Sequence, residues 1–95
     1  RSRGSIDIMF KMVDVCRKGA KKTEIMYKAN LSHAMLKSYL KILVNGGLLD
    51  NSTVDETYKP TGKGFTFAKD YEELTRAMKL AQTKKTSLLR LLNTK

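Results

Sequence analysis

Phe67, Tyr71, Leu74, Met78, Ala81, Lys85, Leu88 and Leu92 follow one another at spacings that alternate strictly between four and three. That is a repeat of period 3.5, the seam of a coiled coil, and it predicts one helix over residues 61–93. At ~1.5 Å per residue such a helix is a rod of about 50 Å. A chain of 95 residues has too little domain beside the rod to cover its whole length. Left alone, Leu88, Leu91 and Leu92 would face water, so the seam calls for a partner helix. The alternative is a break over 83–87, where Thr, Lys and Ser lower helix propensity, with a short fifth helix folding back. The seam favours the coiled coil, in which Lys85 is the polar core residue that fixes register at some cost in stability.

Composition narrows the rest. A small domain often needs a disulfide, a metal or a partner chain to supplement its core. One cysteine and one histidine exclude an internal disulfide and a four-ligand zinc site, which again leaves oligomerisation. The longest apolar run is far short of a bilayer crossing, and no secretory signal pattern precedes the first helix. The expectation is a reduced, cytoplasmic chain without a membrane partner. Nineteen Lys and Arg against nine Asp and Glu give a net charge of +10, which points to a polyanionic partner, nucleic acid first.

Residues 1–4 are expected to be a disordered basic start. A helix follows over 5–18, with Ser5 as cap, Asp7 in its first turn and Gly19 as the stop. Ile6, Met9, Val13 and Cys16 form one apolar set, and Ile8, Met12 and Val15 a second, with Phe10 between them. A helix apolar most of the way round must be covered on both sides, by a later helix or by a partner subunit. Ile8, Met12 and Val15 are therefore assigned with the seam to the dimer interface. A short helix over 23–29, capped by Thr23, buries Ile25, Met26 and Ala29. Asn30 and Leu31 make the turn, and Ser32 caps a helix over 32–45 that ends at Gly46-Gly47. Leu36, Leu40 and Leu43 face inward, flanked by Met35, Tyr39 and Ile42. The opposite face carries His33, Ala34, Lys37, Ser38 and Lys41, with no acid among them. Leu48 and Leu49 open a strand, 50–57 is a polar turn, and Tyr58, Lys59 and Pro60 return.

Three helices, a hairpin and a last helix make a mainly α (α+β) fold, the winged helix-turn-helix, over 5–60, with 61–93 as the dimerisation helix. Leu31 plugs the core at the turn. Ser32 leaves the amides at the start of the next helix pointing outward, a ready phosphate site, and the exposed face of that helix can reach base edges in the major groove. The stretch Ile25-Met26-Tyr27-Lys28-Ala29-Asn30-Leu31-Ser32, the Tyr39-Leu40-Lys41 run, and Tyr58 with Thr61-Gly62-Lys63-Gly64 resemble a known family. It is the small dimeric winged-helix DNA-binding proteins of archaea, the ten-kilodalton "a" class of chromatin-associated proteins. The resemblance spans about residues 5–92 and is most specific over 25–32. It implies a homodimer joined by an antiparallel coiled coil, with duplex DNA bound by a helix-turn-helix at each end. Carried over residue by residue, the recognition face is Ser32, His33, Ala34, Lys37, Ser38 and Lys41, with Lys37 and Lys41 foremost. Lys21, Lys22 and Lys28 line the DNA backbone from the second helix, and Lys59 from the return strand. Tyr27 and Tyr39 are expected in the core or at an interface.

The wing departs from the pattern. Its tip carries Asp50, Asp55 and Glu56, which repel phosphates, so the third helix takes the larger share of binding. The acidic wing also favours a second reading, a winged-helix protein-interaction module whose basic surface or wing takes a protein or RNA partner. Gly62-Lys63-Gly64 lacks the strand and spacing of a phosphate loop and is assigned to the first turn of the last helix behind Thr61. With His33 the only imidazole, no nucleophile–base arrangement can be assembled. No enzyme, no cofactor and no small-molecule ligand is expected.

Overall fold

The computed structural model describes residues 3–93. They form α1 (Ser5–Val15), α2 (Lys22–Lys28), α3 (His33–Asn45), β1 (Leu49–Asn51), β2 (Tyr58–Pro60) and α4 (Gly62–Leu92). α1 is capped one residue earlier than Ser5. Gly4 takes the extended cap conformation and its amide donates to the Asp7 carboxylate at 3.1 Å. Arg3 is anchored too: its guanidinium donates to the carbonyls of Ala29 and Asn30 at 2.6 and 2.8 Å. The expected disordered start is thus corrected at Arg3 and Gly4, while Arg1 and Ser2 lie outside the described residues.

α1 runs through the middle of the fold. Ile8, Met12, Val13 and Cys16 are buried against Ile25, Leu31, Leu36, Leu40 and Leu43 of the helix-turn-helix, Leu49 and Tyr58 of the hairpin, and Ala68 of α4. This corrects the assignment of Ile8 and Met12 to a dimer interface. The second layer over α1 is the chain's own α4, and Met12 is 0% exposed. Val15 is half-buried against the same core, and it is Ile6 that faces out. Burial pushes the Cys16 thiol up to about 12, with the Glu24 carboxylate adding to the shift, so it stays protonated and inert.

Two helix ends fix the turn geometry. α2 begins at Lys22 with Lys21, not Thr23, in the cap position. It ends with Asn30 in the left-handed region, φ 56°, while the Leu31 amide bonds to the Met26 carbonyl and the Asn30 amide to that of Tyr27. α3 ends the same way at Gly47, φ 80°, with Leu48 bonding to Leu43 and Gly47 to Val44. Both are six-residue closures that drop an apolar side chain, Leu31 or Leu48, back onto the core.

The antiparallel hairpin pairs Leu49 with Pro60, Asp50 with Lys59 and Asn51 with Tyr58. Tyr58 also exchanges two backbone hydrogen bonds with Ala20, which ties the α1–α2 loop to the wing. α4 then starts at Thr61, whose hydroxyl accepts from the Gly64 amide at 3.0 Å and donates to the Gly47 carbonyl at 2.6 Å. Lys63 donates to the Gly46 carbonyl at the end of α3. A Cβ on Gly64 would sit 2.2 Å from the Leu48 carbonyl oxygen, so α4 seats against the wing only with glycine there. Gly64→Ala is expected to destabilise the fold by about 3 kcal/mol, because backbone must move to admit the methyl. Chemical denaturation monitored by circular dichroism measures this directly.

α4 is continuous through 83–87 and extends the molecule to 66 Å on its long axis. Its first turns are spent on its own chain. Phe67 packs on the core, and the ring of Tyr71 stacks on Phe10 with centroids 4.2 Å apart. The Tyr71 hydroxyl donates to Asp7, and this bond raises its pKa. Phe67 and Tyr71, assigned to the dimer seam, therefore cover α1 of the same chain. From residue 72 to 93 every side chain is exposed.

Candidate nucleic-acid interface

The exposed face of α3 and the inner face of the hairpin enclose a groove of about 530 Å³. His33, Lys37 and Lys41 reach it from one helical stripe at four-residue spacing, and Asn45 continues that stripe one turn further on. Lys22 enters from the start of α2, Asn51 and Tyr58 from the hairpin, and Leu36, Leu40 and Val44 make the floor. Among the described residues no carboxylate lines this groove. Lys21 and Lys22 line a second hollow with Thr23, Ser52, Thr53 and Glu56, on the other side of Asn51. The bridge between Ala20 and Tyr58 holds these two lysines beside the wing.

Ser32 is a cap, its Oγ accepting from the Met35 amide at 3.1 Å. That satisfies the third amide of α3 and leaves those of His33 and Ala34 at the open end of the helix, where an anion can bind. Ala34 and Ser38 are exposed beside the lysine stripe.

Two assignments do not join this site. Lys28 donates to Glu24 at 2.9 Å, an i,i+4 pair along α2, and lines neither hollow. Lys59 alternates with Tyr58 on β2, so it projects from the opposite face of the hairpin, where its stem lies over Gly19. Tyr27, expected in the core or at an interface, is not in the core: it is 86% exposed on α2. In the other direction, Asn45 and Asn51 are groove residues that sequence reasoning missed. The four-residue step from Lys41 was a usable signal for Asn45; Asn51 needed the strand register.

The acidic wing has a local explanation. The Asp55 carboxylate accepts from the Thr57 hydroxyl at 2.7 Å and the Thr57 amide at 3.2 Å, closing the turn. Hydrogen bonds from Thr57 and Ser52 lower its pKa. Glu56 takes a left-handed conformation, φ 58°, immediately after it.

Among the described residues no group of three His, Cys, Asp or Glu side chains is placed to hold a metal ion. None of the described helices is long and apolar enough to cross a membrane.

A capped helix-turn-helix, a two-stranded wing and a cationic groove between them define a winged helix-turn-helix protein. The chain belongs to the winged helix-turn-helix family, whose model matches residues 2–79. Among solved structures it is similar to Sso10a-2, a DNA-binding protein from Sulfolobus solfataricus. The match has a TM-score of 0.85 at 27% identity and covers 98% of this chain and 100% of that one. The resemblance carried by residues 25–32 thus holds across the whole fold, long C-terminal helix included. The chain is also similar to the multiple antibiotic-resistance repressor MarR from Listeria monocytogenes 4b F2365. Here the TM-score is 0.59 at 14% identity, over 92% of this chain and 75% of that one, a likeness of fold alone. No curated protein sequence matches the chain.

Proposed function

We propose that the chain is a non-catalytic, homodimeric duplex DNA-binding protein of archaeal chromatin organisation or transcriptional regulation, held at the nucleoid by its DNA. α3 enters the major groove, and Lys22, His33, Lys37 and Lys41 meet phosphates and base edges. The observation that carries this reading is the groove between α3 and the hairpin, with four basic side chains and no acid. Its likeness to a DNA-binding protein over nearly its full length adds support. The protein-docking alternative rested on the acidic wing, and the turn chemistry of Asp55 accounts for part of that acidity.

The dimer reading rests on α4. With Phe67 and Tyr71 used on α1, the free seam is Leu74, Met78, Ala81, Lys85, Leu88 and Leu92. This set is symmetric about Thr83: an antiparallel partner helix crossing there sets Leu74 against Leu92, Met78 against Leu88 and Ala81 against Lys85. The small Ala81 leaves room for the Lys85 stem to lie across it and carry its ammonium to water.

Fluorescence anisotropy of a labelled duplex at several salt concentrations tests the function, with an RNA hairpin alongside. Counterion release predicts a slope of log K against log salt of about −3 per domain if Lys22, Lys37 and Lys41 each neutralise a phosphate. No duplex binding at low salt, or equal affinity for the hairpin, would overturn the reading.

A further inference from the structure

We infer that the outer face of the distal half of α4 is a second duplex-DNA surface, one that grips the phosphate backbone along the rod between the two winged domains. The inference rests on the α3 groove being a duplex interface, and the experiment below separates the two.

At about 100° per residue, the free seam residues fall within about 40° of Leu74, Arg76, Lys79 and Arg90 lie on the opposite side of the helix, and Lys84 stands on the flank between, about 80° from Leu74. All three are exposed. From residue 76 to 93 the chain carries Arg76, Lys79, Lys84, Lys85 and Arg90 and not one carboxylate. The first half of α4 is different: Lys63 and Lys69 stand among Asp70, Glu72 and Glu73, and Glu72 meets Arg17 at 3.6 Å. Among the described residues Arg76, Lys79 and Lys84 take part in no ion pair.

A merely solvated helix face carries both signs, because i,i+4 pairs of opposite charge stabilise it and like charges three or four apart do the reverse. Arg76 and Lys79 are three apart and both cationic. An antiparallel dimer repeats the same face on the other side of the rod, so each of the two outer faces is cationic and carries no carboxylate from its own helix over 76–93. A polyanion lying along the rod relieves that repulsion. The polar residues interspersed there, Gln82, Thr86 and Ser87, are of the kinds that bond phosphate oxygens.

The surface suits a duplex better than a single strand. It is the convex face of one helix, Arg76 to Arg90 span about 21 Å, and their spacing needs no base readout. Single-stranded nucleic acid is held on stacking aromatics, and α4 has none beyond Tyr71. The duplex therefore meets three surfaces in each dimer, an α3 groove at either end and the rod between.

The test compares three full-length proteins on one labelled duplex across a salt series: wild type, the rod variant Arg76→Gln/Lys79→Gln/Lys84→Gln, and the groove variant Lys37→Ala/Lys41→Ala. Glutamine keeps helix propensity, so circular dichroism and sedimentation are expected to show the rod variant with wild-type helix content and oligomeric state. A duplex on one outer face meets three of the removed charges, so the slope of log K against log salt becomes shallower by up to about 3, and affinity at low salt falls at least tenfold. The charge-preserving variant Arg76→Lys/Lys79→Arg/Lys84→Arg restores both. A rod variant with the wild-type slope on the duplex overturns the inference, as does a slope lost only on an RNA hairpin. If the groove variant abolishes binding while the rod variant matches wild type, the α3 reading stands and this one falls. A wild-type protein that binds no duplex removes both.

Discussion

Replacing Lys37 and Lys41 together by alanine is expected to weaken duplex binding by roughly 2–4 kcal/mol per domain, about thirty- to several-hundredfold. Both side chains are exposed on one stripe of α3, one turn apart, and both line the groove that holds no carboxylate. Neither contributes to the core, and alanine is the better helix former, so thermal stability stays within about 0.5 kcal/mol of wild type. Binding and folding therefore separate cleanly in this variant. Lys28→Ala is the matched control. It removes one of the same charges from the same motif, but Lys28 is engaged with Glu24 and lies outside the groove, so affinity changes by less than about threefold. Anisotropy at fixed salt reads both. Wild-type affinity in the double variant would take α3 out of the interface, and equal losses in both variants would reduce the site to net charge.

What the chain's letters reveal and what they conceal divides along sequence distance. The helix-turn-helix is legible because its determinants are local: Asn30 tolerates the left-handed turn, Leu31 is the plug, Ser32 caps, and Gly46-Gly47 stop α3. The surroundings of α1 are not legible. Ile8 and Met12 look the same from the sequence whether α4 or a partner covers them, and the contacts that decide it, Phe10 on Tyr71 and Tyr71 on Asp7, bridge more than sixty positions. Lys59 was misplaced for a related reason. Which face of a three-residue strand looks toward α3 depends on the pairing of Asn51 with Tyr58 and of Tyr58 with Ala20. Gly64 looks like an ordinary residue of a first helical turn, and only the approach of the Leu48 carbonyl shows why no side chain fits. The continuity of α4 through 83–87 went the other way. There Thr83, Thr86 and Ser87 are weak but permissive helix formers, Lys84 and Lys85 between them are good ones, and the 3.5-residue repeat on either side carried the correct message.

The double variant Leu74→Asp/Met78→Asp is expected to yield monomers and to melt much of the rod. In the antiparallel pairing centred on Thr83, these two positions meet Leu92 and Leu88 of the partner, so one pair of substitutions spoils four rungs of a six-rung seam. Each apolar side chain buried there contributes about 1.5–3 kcal/mol, so the four lost per dimer amount to roughly 6–12 kcal/mol before any carboxylate is desolvated. Few dimers of this size survive such a loss. The folded domain does not depend on either residue: Leu74 is already 54% exposed in the single chain, and the core from Ile8 to Ala68 lies beyond its reach. The distal helix does depend on pairing. Residues 72–93 make no buried contact within the chain, and a helix in a protein draws most of its stability from the packing of its apolar face. Sedimentation should therefore report one chain per particle, and circular dichroism should lose much of the helical signal of α4 while the melting of the winged domain persists. Lys85→Leu is the opposite-signed control, since an apolar rung in place of the lysine tightens the dimer at the expense of register. A dimer that survives Leu74→Asp/Met78→Asp with its rod intact would place the interface elsewhere on the molecule, and Ile6, exposed on α1, would be the next position to test.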